Sequence, residues 1–185
     1  AGGNRWVGAR PAGEAVVSTP PTLVLAWGNP GRRDDGLGPA FAASIDALGL
    51  PRVEVESAYQ LQVEDAVKLA ACSRVLFVDA DRCCDEPFRV QRVEPAAGGL
   101  GFTSHGLSPA HLLALGRALF GAEPQAWLMG IRGYDFDQFG EGLSCGARVN
   151  LAGAVAFARD AFGDGEGSAA RLAACHPDQA TRGQP

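Results

Sequence analysis

Two kinds of hydrophobic pattern alternate along this chain. Uninterrupted apolar runs, TLVLAW (22–27), RVLFVDA (74–80) and AWLMGIR (126–132), have the length and composition of strands buried on both faces. RVEVESA (52–58) and FRVQRVEP (88–95) instead alternate apolar and polar residues, as half-buried strands do, the second one at a sheet edge. Between the runs, apolar residues recur at helical spacing. LGPAFAASIDAL (37–48) brings Phe41, Ile45 and Leu48 to one face, and LQVEDAVKLAAC (61–72) turns Val63, Val67 and Leu69 to Ala71 inward. SPAHLLALGRALFG (108–121) opens with Ser108 as an N-cap and Pro109 at the first helical position. CGARVNLAGAVAFARDAF (145–162) is the closing helix.

Strands separated by helices predict an α/β fold: a three-layer sandwich, with a mostly parallel twisted sheet flanked by helices, in a single domain. Residues 1–20 and 163–185 are rich in Gly, Ala and Pro without periodicity and are expected to be flexible extensions around a folded body at 21–162. In such sheets ligands bind at the carboxyl ends of the strands. That rule collects Asp34 and Asp35 after the first strand, Asp79 after the third and Arg132 after the last at one edge.

Composition narrows the classes of function. The 185 residues are 46% hydrophobic, enough for a proper core, and carry a formal charge of −5 with a single lysine, Lys68. No basic stripe exists to hold a phosphate backbone, so nucleic acid is not an expected partner. No apolar run reaches the length of a membrane span, and the amino-terminal stretch lacks the pattern of a targeting segment; no membrane association is expected. The cysteines, at 72, 83, 84, 145 and 175, are odd in number and form no Cys-x-x-Cys pair, which argues against a disulfide framework or a zinc knuckle. A cytoplasmic protein with reduced thiols is the default expectation.

The anomalous stretch is WGNPGRRDDGLGP (27–39), where four charges follow directly on a strand. A plain structural reading makes one aspartate a helix cap and the other a solvated side chain, with Gly28, Gly31, Gly36 and Gly38 allowing left-handed backbone angles. Asp79, after an apolar strand, either caps the turn that follows, 79–85, or serves a site; Asp81 and Asp85 read as solvated loop positions. His105 lies in a glycine-rich loop able to aim an imidazole into a crevice, whereas His111 sits inside a helix. Two carboxylates, one from the Asp34-Asp35 pair and Asp79, together with the His105 imidazole are a sensible donor set for a divalent transition metal. The vicinal Cys83-Cys84 reads as buried or incidental thiols. No Gly-x-Ser-x-Gly elbow, no His-Glu-x-x-His and no phosphate-binding loop is present.

Taken in order, Gly28-Asn29, Asp34-Asp35-Gly36-x-Gly38, Asp79, His105, Gly130-Ile131 and Gly140-x-x-Leu143-Ser144 resemble the signature of the [NiFe] hydrogenase maturation proteases over about residues 22–162. The resemblance implies an endopeptidase that removes the C-terminal extension of the [NiFe] hydrogenase large-subunit precursor after nickel insertion. It implies that Asp35, Asp79 and His105 contact nickel carried by the substrate; a carboxylate beside a cation can accept a proton, so Asp35 or Asp79 is expected to activate the attacking water. Gly28, Asn29, Asp34, Gly36 and Gly38 would then line the approach of the metal-bearing peptide. Ala26-Trp27 and ESAYQLQVEDA (56–66) depart from the usual family pattern. Two other readings stand beside this one. A non-catalytic nickel-binding maturation chaperone would use the same three ligands. A peptidyl-tRNA hydrolase-like enzyme shares the strand and Gly-Asn-Pro-Gly opening, but needs a basic face for tRNA that this chain, at −5 with one lysine, does not offer.

Overall fold

The computed structural model describes residues 21–97, 107–163 and Leu172. Five strands, β1 (Thr22–Trp27), β2 (Val53–Ala58), β3 (Arg74–Asp81), β4 (Phe88–Arg92) and β5 (Gln125–Arg132), form one sheet in the order β2-β1-β3-β5-β4. All neighbouring pairs are parallel except β4 with β5. The expected α/β sandwich is therefore present, with the antiparallel strand at an edge, where FRVQR alternates.

The two-residue period of the strands sorts side chains into two core layers. Val24, Ala26, Leu76, Val78, Trp127, Met129 and Ile131 pack against α1 (Leu37–Asp46) and α3 (Cys145–Gly163). Their alternates Leu23, Leu25, Val75, Phe77 and Ala126 face α2 (Pro109–Phe120) and a 3-10 helix at Val63–Ala71. Ser108 caps α2, its hydroxyl accepting from the His111 N–H.

Two helical expectations need correction. Segment 61–72 is a 3-10 helix, not an α-helix, and Asp65 at its start accepts from the Gln62 N–H. With three residues per turn its buried stripe recurs every third position, Ala66, Leu69 and Cys72, while Val63 and Val67 stand 43% and 53% exposed instead of facing inward. Helix α1 stops at Asp46, so Leu48 lies beyond its last turn and is exposed.

The chain order places the site. From β1 the chain crosses over one face to β2, then returns over the other face to β3 on the opposite side of β1. This reversal opens a crevice at the carboxyl ends of β1 and β3, the place where doubly wound sheets bind ligands.

Candidate active site

Asp35, Asp79, Ala80, Arg32, Arg82 and Phe136 line one cleft of about 310 Å³ at that crevice. Asp35 comes from a short 3-10 turn, Arg33–Gly36, wedged between β1 and α1. The turn starts with a side-chain bond, Asn29 Oδ1 accepting from the Gly31 N–H at 2.9 Å. The Asn29 backbone N–H then donates to Asp35 Oδ2 at 3.1 Å, fixing one carboxylate oxygen. Arg33 adopts φ 50°, an uncommon angle for a residue with a Cβ, and its N–H donates to Gly140 O at 3.0 Å.

Asp79 lies within β3, paired with Gly130 of β5, because the strand continues to Asp81. Burial pushes its carboxyl up to about 6. The Ala80 N–H, donating to Oδ1 at 2.8 Å, and the Trp27 indole oppose that rise, while the nearby charges of Asp35 and Asp81 add to it. The turn after β3 is held by Asp81 rather than Asp79: Asp81 Oδ1 accepts from Cys83 N at 2.7 Å and Cys84 N at 3.0 Å. Asp81 is thus a turn cap rather than a solvated loop residue, and Asp79 is left facing the cleft.

Asp34 does neither of the jobs the sequence suggested. It is fully buried, and the α1 N-terminus receives no side-chain cap. Its carboxylate instead accepts four bonds from a loop about a hundred residues away: Tyr134 N at 2.8 Å, Asp135 N at 2.9 Å and Ser144 Oγ at 2.8 Å on Oδ2, and Ser144 N at 2.7 Å on Oδ1. Burial acts to raise its pKa, but the donors of Ser144, Asp135 and Tyr134 outweigh it and hold the group below the usual carboxylate range. Asp34 therefore ties down the 133–144 loop, which supplies the far wall of the cleft through Phe136.

The glycines expected to admit a substrate backbone are filled by the protein itself. A Cβ on Gly28, at φ 140°, would lie 2.0 Å from Asp35 O, and one on Gly38 would lie 2.1 Å from Trp27 O. Gly36 packs on Pro30, and all three glycines are buried. Of the four glycines expected to need left-handed angles, only Gly28 has a positive φ. With the Asn29 backbone N–H on Asp35 and the Asp34 carboxylate on the 133–144 loop, Gly28, Asn29, Asp34, Gly36 and Gly38 all help to build the turn that carries Asp35.

His105 lies outside the described residues. Among the described residues no three His, Cys, Asp or Glu side chains are grouped to hold a metal ion; Asp35 and Asp79 are the donors the cleft offers. His111 is taken up locally, Nδ1 lying 2.7 Å from Ser108 Oγ. Cys84 is buried with its thiol directed at Gly130 O, and Cys83 is exposed. Sequence reasoning missed three wall residues. Arg82 pairs with Asp137 at 2.9 Å and stacks on the Phe136 ring at 4.3 Å, and Arg32 Nη2 donates to Phe136 O at 3.3 Å. The Gly-x-x-Leu-Ser motif signalled that Ser144 mattered; nothing in the chain signalled that its partner is Asp34.

No protein-family model matches the sequence, and no curated protein matches it. Solved structures do. The [NiFe] hydrogenase maturation protease HycI from Thermococcus kodakarensis superposes with a TM-score of 0.59 at 21% identity, covering 76% of this chain and 90% of that one. A hydrogenase 2 maturation peptidase from a Thaumarchaeota archaeon gives 0.57 at 21% identity over 77% and 98% of the two chains. The hydrogenase maturating endopeptidase HybD from Escherichia coli gives 0.52 at 20% identity over 74% and 88%. The cleft between β1 and β3 thus sits in a chain that has the fold of these solved maturation proteases.

Proposed function

We propose that this chain is an endopeptidase that removes the C-terminal extension of the [NiFe] hydrogenase large-subunit precursor once nickel is in place. The observation that carries the reading is the convergence on one cleft of Asp35, from the turn that follows β1, and Asp79, from the neighbouring strand β3. The fold shared with named maturation proteases and the motif order along the chain support it.

In this reading the nickel belongs to the substrate. Asp35, Asp79 and His105 meet it, so that only a loaded precursor is seated with its peptide bond in the cleft. Peptide hydrolysis needs a group to take a proton from water and return one to the leaving amide nitrogen. Asp35 and Asp79, the two carboxylates of the cleft, are the groups placed to take the proton from water and pass it to the leaving nitrogen. Asp35, pinned through one oxygen by Asn29, presents the other to the substrate.

The test is mass spectrometry of a large-subunit precursor incubated with the protein, with and without nickel loading. The expected result is loss of a C-terminal peptide from the loaded precursor alone, abolished by Asp79→Asn and by Asp35→Asn. A precursor that binds but stays intact would replace the protease reading with a nickel-binding chaperone. Unchanged processing by Asp35→Asn would remove that residue from the reaction.

A further inference from the structure

The two arginines ahead of the aspartate pair point in different directions. Arg33 turns into the fold, its Nε buried beside Gly140. Arg32 turns to the cleft lined by Asp35 and Asp79. Its N–H donates to Asn29 O at 3.0 Å, its backbone bridges to Gly140, and its Nη2 donates to Phe136 O at 3.3 Å. The backbone of Arg32 is thus tied to Asn29 and Gly140, and its guanidinium is held to the 133–144 loop by one neutral acceptor, the Phe136 carbonyl. Among the described residues it has no carboxylate within ion-pairing distance, although the charge of Asp137 is felt there, whereas Arg82, which also lines the cleft, is paired directly with Asp137. Arginine carries five donors in a planar fork suited to a carboxylate, and most of the Arg32 fork is unspent.

Phe139 stands beside it, its ring centroid 5.8 Å from Arg32 Cζ. At 86% exposed it is the most open large hydrophobic side chain among the described residues. The loop that carries it is not loose, since Asp34 and Gly31 hold it on both sides of the ring, through Tyr134, Asp135, Gly140 and Ser144. An exposed aromatic ring on an anchored loop, next to a guanidinium with no ion-pair partner at the cleft, has the chemistry of a peptide subsite: one charged anchor and one apolar contact.

We infer that Arg32 and Phe139 form a subsite, beside the Asp35–Asp79 pair, for a carboxylate of the substrate peptide lying next to an apolar side chain. The carboxylate is either an Asp or Glu side chain or the peptide's C-terminus. Arg32 balances the two acidic groups of the cleft, which on their own would repel an acidic segment, and so sets which peptide can lie across them. The inference rests on the peptide-cleaving reading given above.

Two measurements on the full chain test it separately from that reading. The first is processing of the nickel-loaded precursor by wild type, Arg32→Gln and Phe139→Ser. Glutamine keeps a donor for Phe136 O while removing the charge, and an unchanged urea midpoint verifies the fold. KM is expected to rise about tenfold in Arg32→Gln, with kcat held within twofold. The second is fluorescence anisotropy of a labelled synthetic peptide copied from the precursor's C-terminal extension. It is compared with a C-terminally amidated form and a form with Asp and Glu replaced by Asn and Gln. One of the two modifications should weaken binding to wild type and leave binding to Arg32→Gln unaffected, which names the source of the carboxylate. Equal KM for wild type and Arg32→Gln, or equal weakening of both proteins by both modifications, would overturn the subsite. Absence of cleavage by wild type would sink the protease reading, while the anisotropy would still decide the subsite.

Discussion

Replacing Asp34 with asparagine probes the contact on which the cleft wall depends. The carboxylate receives three donors on Oδ2 and one on Oδ1. Asparagine keeps a single oxygen, which does best in the Oδ2 place, so its NH2 group then confronts the Ser144 N–H. A buried donor left without an acceptor costs about 1–3 kcal/mol. The three surviving bonds lose their charge assistance, at up to about 1 kcal/mol each. The sum is about 1–6 kcal/mol, a large part of the total stability of about 5–15 kcal/mol expected for a domain of this size. Urea unfolding at pH 7 measures it. The pH dependence supplies an independent check of sign. The folded Asp34 pKa lies below its ordinary 3.8, so its contribution is complete above that value and is lost as pH falls through the folded value. The gap between wild type and Asp34→Asn is therefore full at pH 7 and pH 5 and narrows below about pH 4. A gap under about 1 kcal/mol at pH 7, or one that widens on acidification, would refute the role of Asp34 as the tie of the 133–144 loop.

Asp79 carries the opposite sign. Its folded pKa of about 6 exceeds the ordinary 3.8, so its stabilising protonation is complete below 3.8 and is lost as pH rises through about 6. Asp79→Asn should therefore raise the unfolding free energy from urea titration at pH 7.5, by up to about 3 kcal/mol, and leave it nearly unchanged at pH 4, while abolishing processing. Gly38→Ala drives a Cβ to 2.1 Å from Trp27 O, a backbone atom that cannot swing away; a loss of about 3 kcal/mol or more is expected in a thermal melt. Burial pushes the Cys72 thiol up to about 11, so iodoacetamide should label the Cys83 and Cys145 peptides in the native protein. The Cys72 peptide should stay unlabelled until urea is added, as peptide mapping would reveal.

The sequence by itself determined the α/β layering, because strand and helix periods are local properties of the chain. Apolar runs at 22–27, 74–80 and 126–132 and the alternation at 88–92 each became a strand of the expected kind. It also determined that Asp35 and Asp79 would share one edge, since the carboxyl ends of neighbouring parallel strands lie together. It misjudged 61–72 because amphipathic residues there fit a period of 3.6 about as well as the three-residue period the chain adopts, and packing of Ala66, Leu69 and Cys72 on the sheet chose between them. The division of labour in the Arg32–Asp35 run was decided by tertiary structure alone. Four adjacent charges look alike in one dimension; their jobs were set by what the 133–144 loop brings to each. That loop gives donors to Asp34, Gly140 to Arg33 and the Phe136 carbonyl to Arg32, and it leaves Asp35 to the cleft. A carboxylate acts as a structural tie or a working group according to whether donors surround it, and those donors lie about a hundred residues away in the chain.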